Sequence, residues 1–229
     1  MAAGSRSVRL SKTSIACLEQ CHRKFWLRMH KPQTAQFTDT TRRVFAIGHL
    51  VGELARRCYP SGTLVEHDHN NLAAAISQTR SLVDDTNPKP IFEGAFYYRN
   101  MLVRADILIP TAGGSWQVVE VKNSGSVRPA YVSDLASQVW VMKGAGLDVS
   151  GMYIRHPLKP LRPWAAPHPL SFINVDVAKD VASAVQLKSD TVARGIEVAN
   201  GAMPETALGE HCSKPYRCEY LEFCRRLRL

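Results

Sequence analysis

The stretch Leu102–Ser124, LVRADILIPTAGGSWQVVEVKNS, decides how the chain is read. Arg104 to Ile109 and Trp116 to Lys122 are rich in β-branched and apolar residues, and the Thr-Ala-Gly-Gly-Ser break between them predicts two strands joined by a tight loop. Strand side chains alternate, so Glu120 and Lys122 share one face while Val119 and Val121 point into a core on the other. Asp106 then meets the charged pair from the neighbouring strand. One reading of this convergence is a hairpin held by matched charges across its strands. The other is chemical: carboxylate oxygens hold Mg²⁺ or Mn²⁺, and a cation orients an attacking water and offsets charge developing on phosphorus.

The spacing from Asp106 through thirteen residues to Glu120-Val121-Lys122 resembles the active-site motif of the PD-(D/E)xK nuclease superfamily. So short a motif recurs in unrelated chains, and the rest of the sequence has to decide. With 229 residues the chain can bury a substantial core as one domain. Residues 10–90 form its helical part, 91–176 its sheet core, and 177–229 a long helix with a cysteine-rich end. Lys and Arg total 29 against 20 Asp and Glu, a formal charge of +9, which favours a polyanionic partner, nucleic acid ahead of membrane. No segment approaches a membrane span, and the opening MAAGSRSVRLSKTS has no apolar run to make a signal peptide, so no membrane partner and a cytoplasmic setting are expected. In that reducing setting the six cysteines are expected to include metal ligands rather than disulfides.

Hydrophobic spacing predicts a helix over residues 11 to about 30, broken near Cys21, and a second from about Thr41 to Tyr59 with Val44, Ile47, Val51, Leu54 and Ala55 on one stripe. His49 and Glu53 lie on its polar side. A third helix covers about Asn71 to Asp84, and Asn87-Pro88-Lys89-Pro90 ends it. Strands follow at Ile91–Tyr98, Met101–Ile109 and Trp116–Lys122, then a helix from Pro129 to about Lys143, strands at Gly151–Arg155 and Phe172–Val175, and a long helix Val177–Asn200. The order implies an α/β (α+β) fold in which a mixed central sheet is flanked by helices. His67, Asp68 and His69 read as a polar loop before a helix rather than a metal cluster.

Cys212, Cys218 and Cys224 fall within thirteen residues at the C-terminal end. A tetrahedral metal or an iron–sulfur cubane takes four ligands, so a fourth comes from elsewhere, Cys21 before its rival Cys17. Cys58, among helix-stripe residues, reads as a buried small hydrophobe. The five-residue gaps are unlike the tight C-x-x-C of common zinc modules and leave zinc the less favoured metal. One cysteine before the sheet and three after it resemble the RecB-like iron–sulfur exonucleases, which include the CRISPR-associated adaptation nuclease and AddB-type helicase–nucleases. Leu10-Ser-Lys-Thr-Ser14, Gln20-Cys21 with Trp26 and His30 behind it, Val51-Gly-Glu-Leu-Ala55, Val103-Arg-Ala-Asp-Ile-Leu108, Glu120-Val-Lys-Asn-Ser124 and the terminal His211-Cys212 to Cys224 resemble a less characterised bacterial branch of that group.

The resemblance implies a restriction-endonuclease-like core with its N- and C-terminal segments joined at a [4Fe-4S] cluster on Cys21, Cys212, Cys218 and Cys224. It implies that Asp106, Glu120 and the Val121 carbonyl bind Mg²⁺ or Mn²⁺, that Lys122 positions the water, and that Gln138 matches the glutamine of the family's Q-x-x-x-Y element. It implies hydrolysis of DNA at ends or in single strands. Two positions depart from the pattern: Gly52 stands where the family's Gly-x-x-x-His carries a metal-binding histidine, and Met142 stands where the tyrosine falls. Glu53, His49 and Glu93 are therefore the candidates to complete the metal site. The same departures support the alternative, a nuclease fold that binds nucleic acid or a partner without turnover. Arg23 and Lys24 in one half of the cysteine set, and Arg225 and Arg226 in the other, read either as an ordinary solvated charge run or as a basic surface for backbone phosphates. Phe25 and Trp26 read as core before they read as base-stacking platforms.

Overall fold

The computed structural model describes residues 8–66, 71–162 and 171–227. The His67 to His69 loop and residues 163–170 of the proline-rich loop lie outside them. Seven strands among the described residues form one mixed sheet: β1 (Leu10–Ser11), β2 (Thr63–Leu64), β3 (Ile91–Tyr98), β4 (Met101–Pro110), β5 (Trp116–Val121), β6 (Val149–Pro157) and β7 (Phe172–Asp176). Their order is β2-β3-β4-β5-β6-β7, and β1 adds in parallel to β4. The β3–β4–β5 meander is antiparallel, whereas β5 and β6 run parallel because the chain crosses back between them through a helix. This is the α/β (α+β) arrangement with flanking helices that the element order implies.

That crossover helix, α5 (Pro129–Gly144), starts on a proline suited to a first helical turn and buries Leu135, Val139 and Met142 against the sheet. Fully burying one such side chain contributes roughly 1.5–3 kcal/mol. The N-terminal segment folds as α1 (Lys12–Gln20) and α2 (His22–His30), with the expected break at Cys21, which is extended at φ −167°. A longer helix, α3 (Asp39–Arg56), seats only Val51 and Ala55, the latter packed with Phe92, Ile107 and Val119. The predicted stripe is therefore buried at one end alone, and Val44 is exposed. Helix α4 (Leu72–Val83) packs on β3, and Thr79 donates to the Ala75 carbonyl while accepting from the Ala95 N–H.

The single long helix expected over 177–200 is two, α6 (Ala178–Val185) and α7 (Lys188–Asn200). Leu187 sits exposed at the joint, and the next residue, Lys188, turns inward to Glu19 at 2.6 Å and Ser133 at 2.7 Å. The C-terminal run ends in a short helix, α8 (Leu221–Arg226). Among the described residues no helix is long and apolar enough to cross a membrane.

Gly144 closes α5 directly over the Tyr98 ring, and a Cβ there would lie 2.3–2.5 Å from three ring carbons. Helix propensity alone favours alanine over glycine by about 1 kcal/mol, and overpacking costs about 1–3 kcal/mol. The ring is braced edge-on by Trp140, at 5.0 Å between centroids, so packing wins. Gly144→Ala is expected to lower stability in chemical denaturation.

Candidate active site

The two central strands of the meander part company where the charged residues cluster. β4 pairs with β5 only from Ile107 to Pro110, and with β1 only at Met101 and Leu102. Past Val119 the chain of β5 leaves β4, while its other edge stays paired with β6 through Glu120–Ile154 and Val121–Arg155. Asp106 lies at the mouth of this fork. Its Oδ2 accepts the Val121 N–H at 2.8 Å, so a side chain bridges where the backbone ladder has ended.

Glu120 is 1% exposed on the face covered by α5 and α1. A carboxylate so far from water is stable only with charge and hydrogen bonds around it. Lys122 reaches Glu120 Oε1 at 2.8 Å and Asp134 at 2.7 Å. Gln138 donates to Glu120 Oε2 at 2.6 Å, while its own Oε1 is buried with no partner. A second cation completes the set. Lys12 bridges both Glu120 oxygens, at 2.9 and 3.1 Å, and stands 3.8 Å from Asp106. Val119 packs away in a second core with Ile107, as the alternation requires.

Burial alone would raise the Glu120 carboxyl, but Lys12 and Lys122 outweigh it and hold the group well below the usual carboxylate range. Asp106 moves the other way. Burial and then the Glu120 charge push it up to about 7, against the opposing pull of Lys12. Both lysines stay above their ordinary value, because Glu120 with Asp106 for Lys12, and Glu120 with Asp134 for Lys122, overcome the cost of burial.

Of the candidates to complete a metal set, Glu93 stands opposite Asp106 on β3, between the paired positions Phe92–Ile107 and Gly94–Ala105, and adds to the rise of the Asp106 pKa. It has a left-handed backbone, φ 55°, and meets Arg56 at 3.3 Å and Arg104 at 3.8 Å. His49 and Glu53 are not brought in. Each lies two residues from Val51, on the opposite side of α3 from its buried stripe, and Glu53 is held by Arg57 at 2.6 Å. Met142 is fully buried core. Lys12 and Asp134 are the site residues that sequence reading missed. Asp134 had a signal, four residues before Gln138 on one helix face. Lys12 had none beyond its place in Leu-Ser-Lys-Thr-Ser.

The cysteines gather at the other end of α1. Cys21 caps that helix, Cys212 accepts the Cys218 N–H at 2.9 Å, and Cys224 lies on α8. Burial raises the Cys224 thiol against an opposing hydrogen bond from Arg23, with Cys21 and Cys212 close enough to add to the shift. Burial likewise pushes Cys218 up to about 11, and Cys21 contributes. Cys17 instead packs in the principal core. Gln20 clamps the two chain ends together, donating to the His211 and Tyr216 carbonyls at 2.7 Å each. Arg23 Nη1, beside Cys224, is buried and unpartnered, which suits an anionic group among the thiols. Among the described residues no three His, Cys, Asp or Glu side chains stand close enough to enclose a single metal ion.

Two expectations are corrected by burial. Arg23 and Lys24 are 2% and 7% exposed, with Arg23 Nε on the Pro204 carbonyl and Lys24 on Glu219 at 2.9 Å, so they brace the fold and form no phosphate-binding surface. Arg225 and Arg226 are exposed, although Arg225 pairs with Glu222 at 2.8 Å. Cys58 is exposed rather than buried, whereas Phe25 is wholly core, as its helical spacing implies. Between α1, the start of α3 and the C-terminal run opens a cleft of about 980 Å³, lined by Thr13, Lys24, Phe37, Phe45, Tyr216 and Arg217. Tyr216 lies near enough to Lys122 and Asp134 to feel their charges.

No protein-family model and no curated protein matches the chain. Among the solved structures that match, "Crystal structure of SSO0001" is similar at a TM-score of 0.39 and 13% identity, over 84% of this chain and 79% of that one. A likeness of that degree carries no weight for fold or activity.

The opposed shifts of the two carboxyls set a pH signature for the metal-free protein. Asp106 binds its proton more tightly folded than unfolded, so its contribution is present below pH 3.8 and lost as pH rises through about 7. Glu120 contributes above pH 4.5 and loses its contribution as pH falls below that. Asp106→Asn is therefore expected to gain stability relative to the wild type between about pH 4 and 7. Denaturant melts across that range check it, and a constant difference would contradict the assignment.

Proposed function

We propose that the chain is a divalent-metal-dependent nuclease that hydrolyses phosphodiester bonds of DNA at ends or in single strands, with a structural [4Fe-4S] cluster. The observation that carries this reading is the fork between β4 and β5, where Asp106 and the buried Glu120 already bracket a cation with Lys122 alongside. Asp106, Glu120 and the Val121 carbonyl would hold Mg²⁺ or Mn²⁺, and Glu93 is placed to support Asp106 from β3. When bound, such an ion lowers the pKa of its water and neutralises charge on the phosphoryl oxygens.

The chain's own groups supply orientation and fixed charge. Gln138 and Lys122 hold the Glu120 carboxylate ionised and aimed into the fork. Asp134 keeps the Lys122 ammonium protonated and fixed, so that it orients the attacking water and meets negative charge as it builds on phosphorus. The adjoining cleft is lined by Arg28 and Arg217 with Phe37, Phe45 and Tyr216, side chains suited to a single strand. Cys21, Cys212, Cys218 and Cys224 would hold the cluster. The buried Arg23 Nη1, with no hydrogen-bond partner beside Cys224, suits an anionic group among the thiols.

A second reading, a nuclease fold without turnover, is favoured by Gly52 in the histidine position and by a lysine already seated between the carboxylates. One set of measurements separates the two. The purified protein is expected to be brown, with iron and sulfide, and to degrade single-stranded DNA with Mn²⁺. Lys122→Ala is expected to slow cleavage by about 10²–10³ while keeping its iron, and Cys218→Ser is expected to lose iron. Cleavage at an undiminished rate in Lys122→Ala rejects the site, and DNA binding with no cleavage in either metal establishes the silent module.

A further inference from the structure

Lys12 belongs to neither the hairpin nor α5, yet it makes the most central contact in the fork. Its ammonium sits within 3.1 Å of both Glu120 oxygens and 3.8 Å from Asp106, where one cation touches both carboxylates. With all groups ionised, Asp106, Glu120 and Asp134 give three negative charges against two from Lys12 and Lys122, a balance of minus one. A divalent ion added beside both lysines would leave the cluster at plus one, with the ion pressed against an ammonium. Moving Lys12 out and the ion in gives zero.

The attachment of Lys12 allows that movement. It is the first residue of α1, and its backbone is fixed on both sides. Leu10 and Ser11 pair with Met101 and Leu102, and the Ser11 and Ser14 side chains cap each other's backbone N–H groups. Only the four-carbon stem is free to swing, and the side chain is 27% exposed, so it has a way out to solvent.

We infer that Lys12 is a built-in competitor for the metal position: its ammonium holds Asp106 and Glu120 together while the site is free of divalent ion, and it swings out of the fork when Mn²⁺ or Mg²⁺ enters. This rests on the nuclease reading above and adds regulation of metal uptake to it. The lysine sets a threshold, because metal must displace a bound cation rather than fill open space.

The test uses the full chain and Mn²⁺ alone. Titration followed by electron paramagnetic resonance is expected to show Lys12→Met binding Mn²⁺ roughly tenfold or more tightly than wild type, since a resident positive charge has been removed. In the wild type, reductive methylation read by mass spectrometry is expected to spare Lys12 without metal and to modify it with Mn²⁺, while Lys122 stays protected by Asp134. This second measurement decides the matter if Lys12→Met does not fold. Equal or weaker Mn²⁺ binding in the variant, with Lys12 protected throughout, overturns the inference and leaves the nuclease reading standing. Mn²⁺ binding to neither protein overturns the nuclease reading and this inference together.

Discussion

A carboxylate with 1% exposure constrains everything around it. Leaving Glu120 charged without partners would cost several kcal/mol, on the order of the stability of a whole domain. The fold meets that demand from three directions: Lys122 from just past the end of β5, Gln138 from the crossover helix, and Lys12 from the N-terminal helix. Each requires its element at a set distance from β5. The buried charge thereby ties α1 and α5 to one point of the sheet.

The same dependence links the two candidate centres. Helix α1 carries Lys12 at its first position and is capped at its end by Cys21. Nine residues of helix span about 13 Å, so one rigid rod reaches from the fork to the thiols. Gln20 and Lys24 fasten the C-terminal run to that rod and its neighbour α2, through two carbonyls and Glu219. A group held by the four cysteines would also fix where α1 lies, and so where the Lys12 stem begins.

The hairpin, the meander and the crossover helix were legible because each is a local pattern: alternation in Trp116 to Val121, a glycine pair at the turn, a proline opening α5. The shared face of Glu120 and Lys122 followed from the two-residue period, and the helix break at Cys21 from the interrupted apolar spacing. Lys12 was not legible, because 108 residues separate it from Glu120 and no local rule forecasts such a pairing. β1 and β2, two residues each, carry no periodicity. Charge misled at Arg23 and Lys24, which look like surface residues and are buried with partners supplied from beyond residue 200. The α3 stripe misled in the opposite direction, since only Val51 and Ala55 of it are buried and Val44 stays exposed.

The central claim is that the fork between β4 and β5 is a divalent-cation site built around Glu120. Anomalous diffraction from crystals equilibrated with Mn²⁺ tests it most directly. A single manganese peak is expected in the fork, about 2.0–2.6 Å from oxygens of both Asp106 and Glu120. Saturating Mn²⁺ with no peak there, and the Lys12 ammonium still between the two carboxylates, would contradict it.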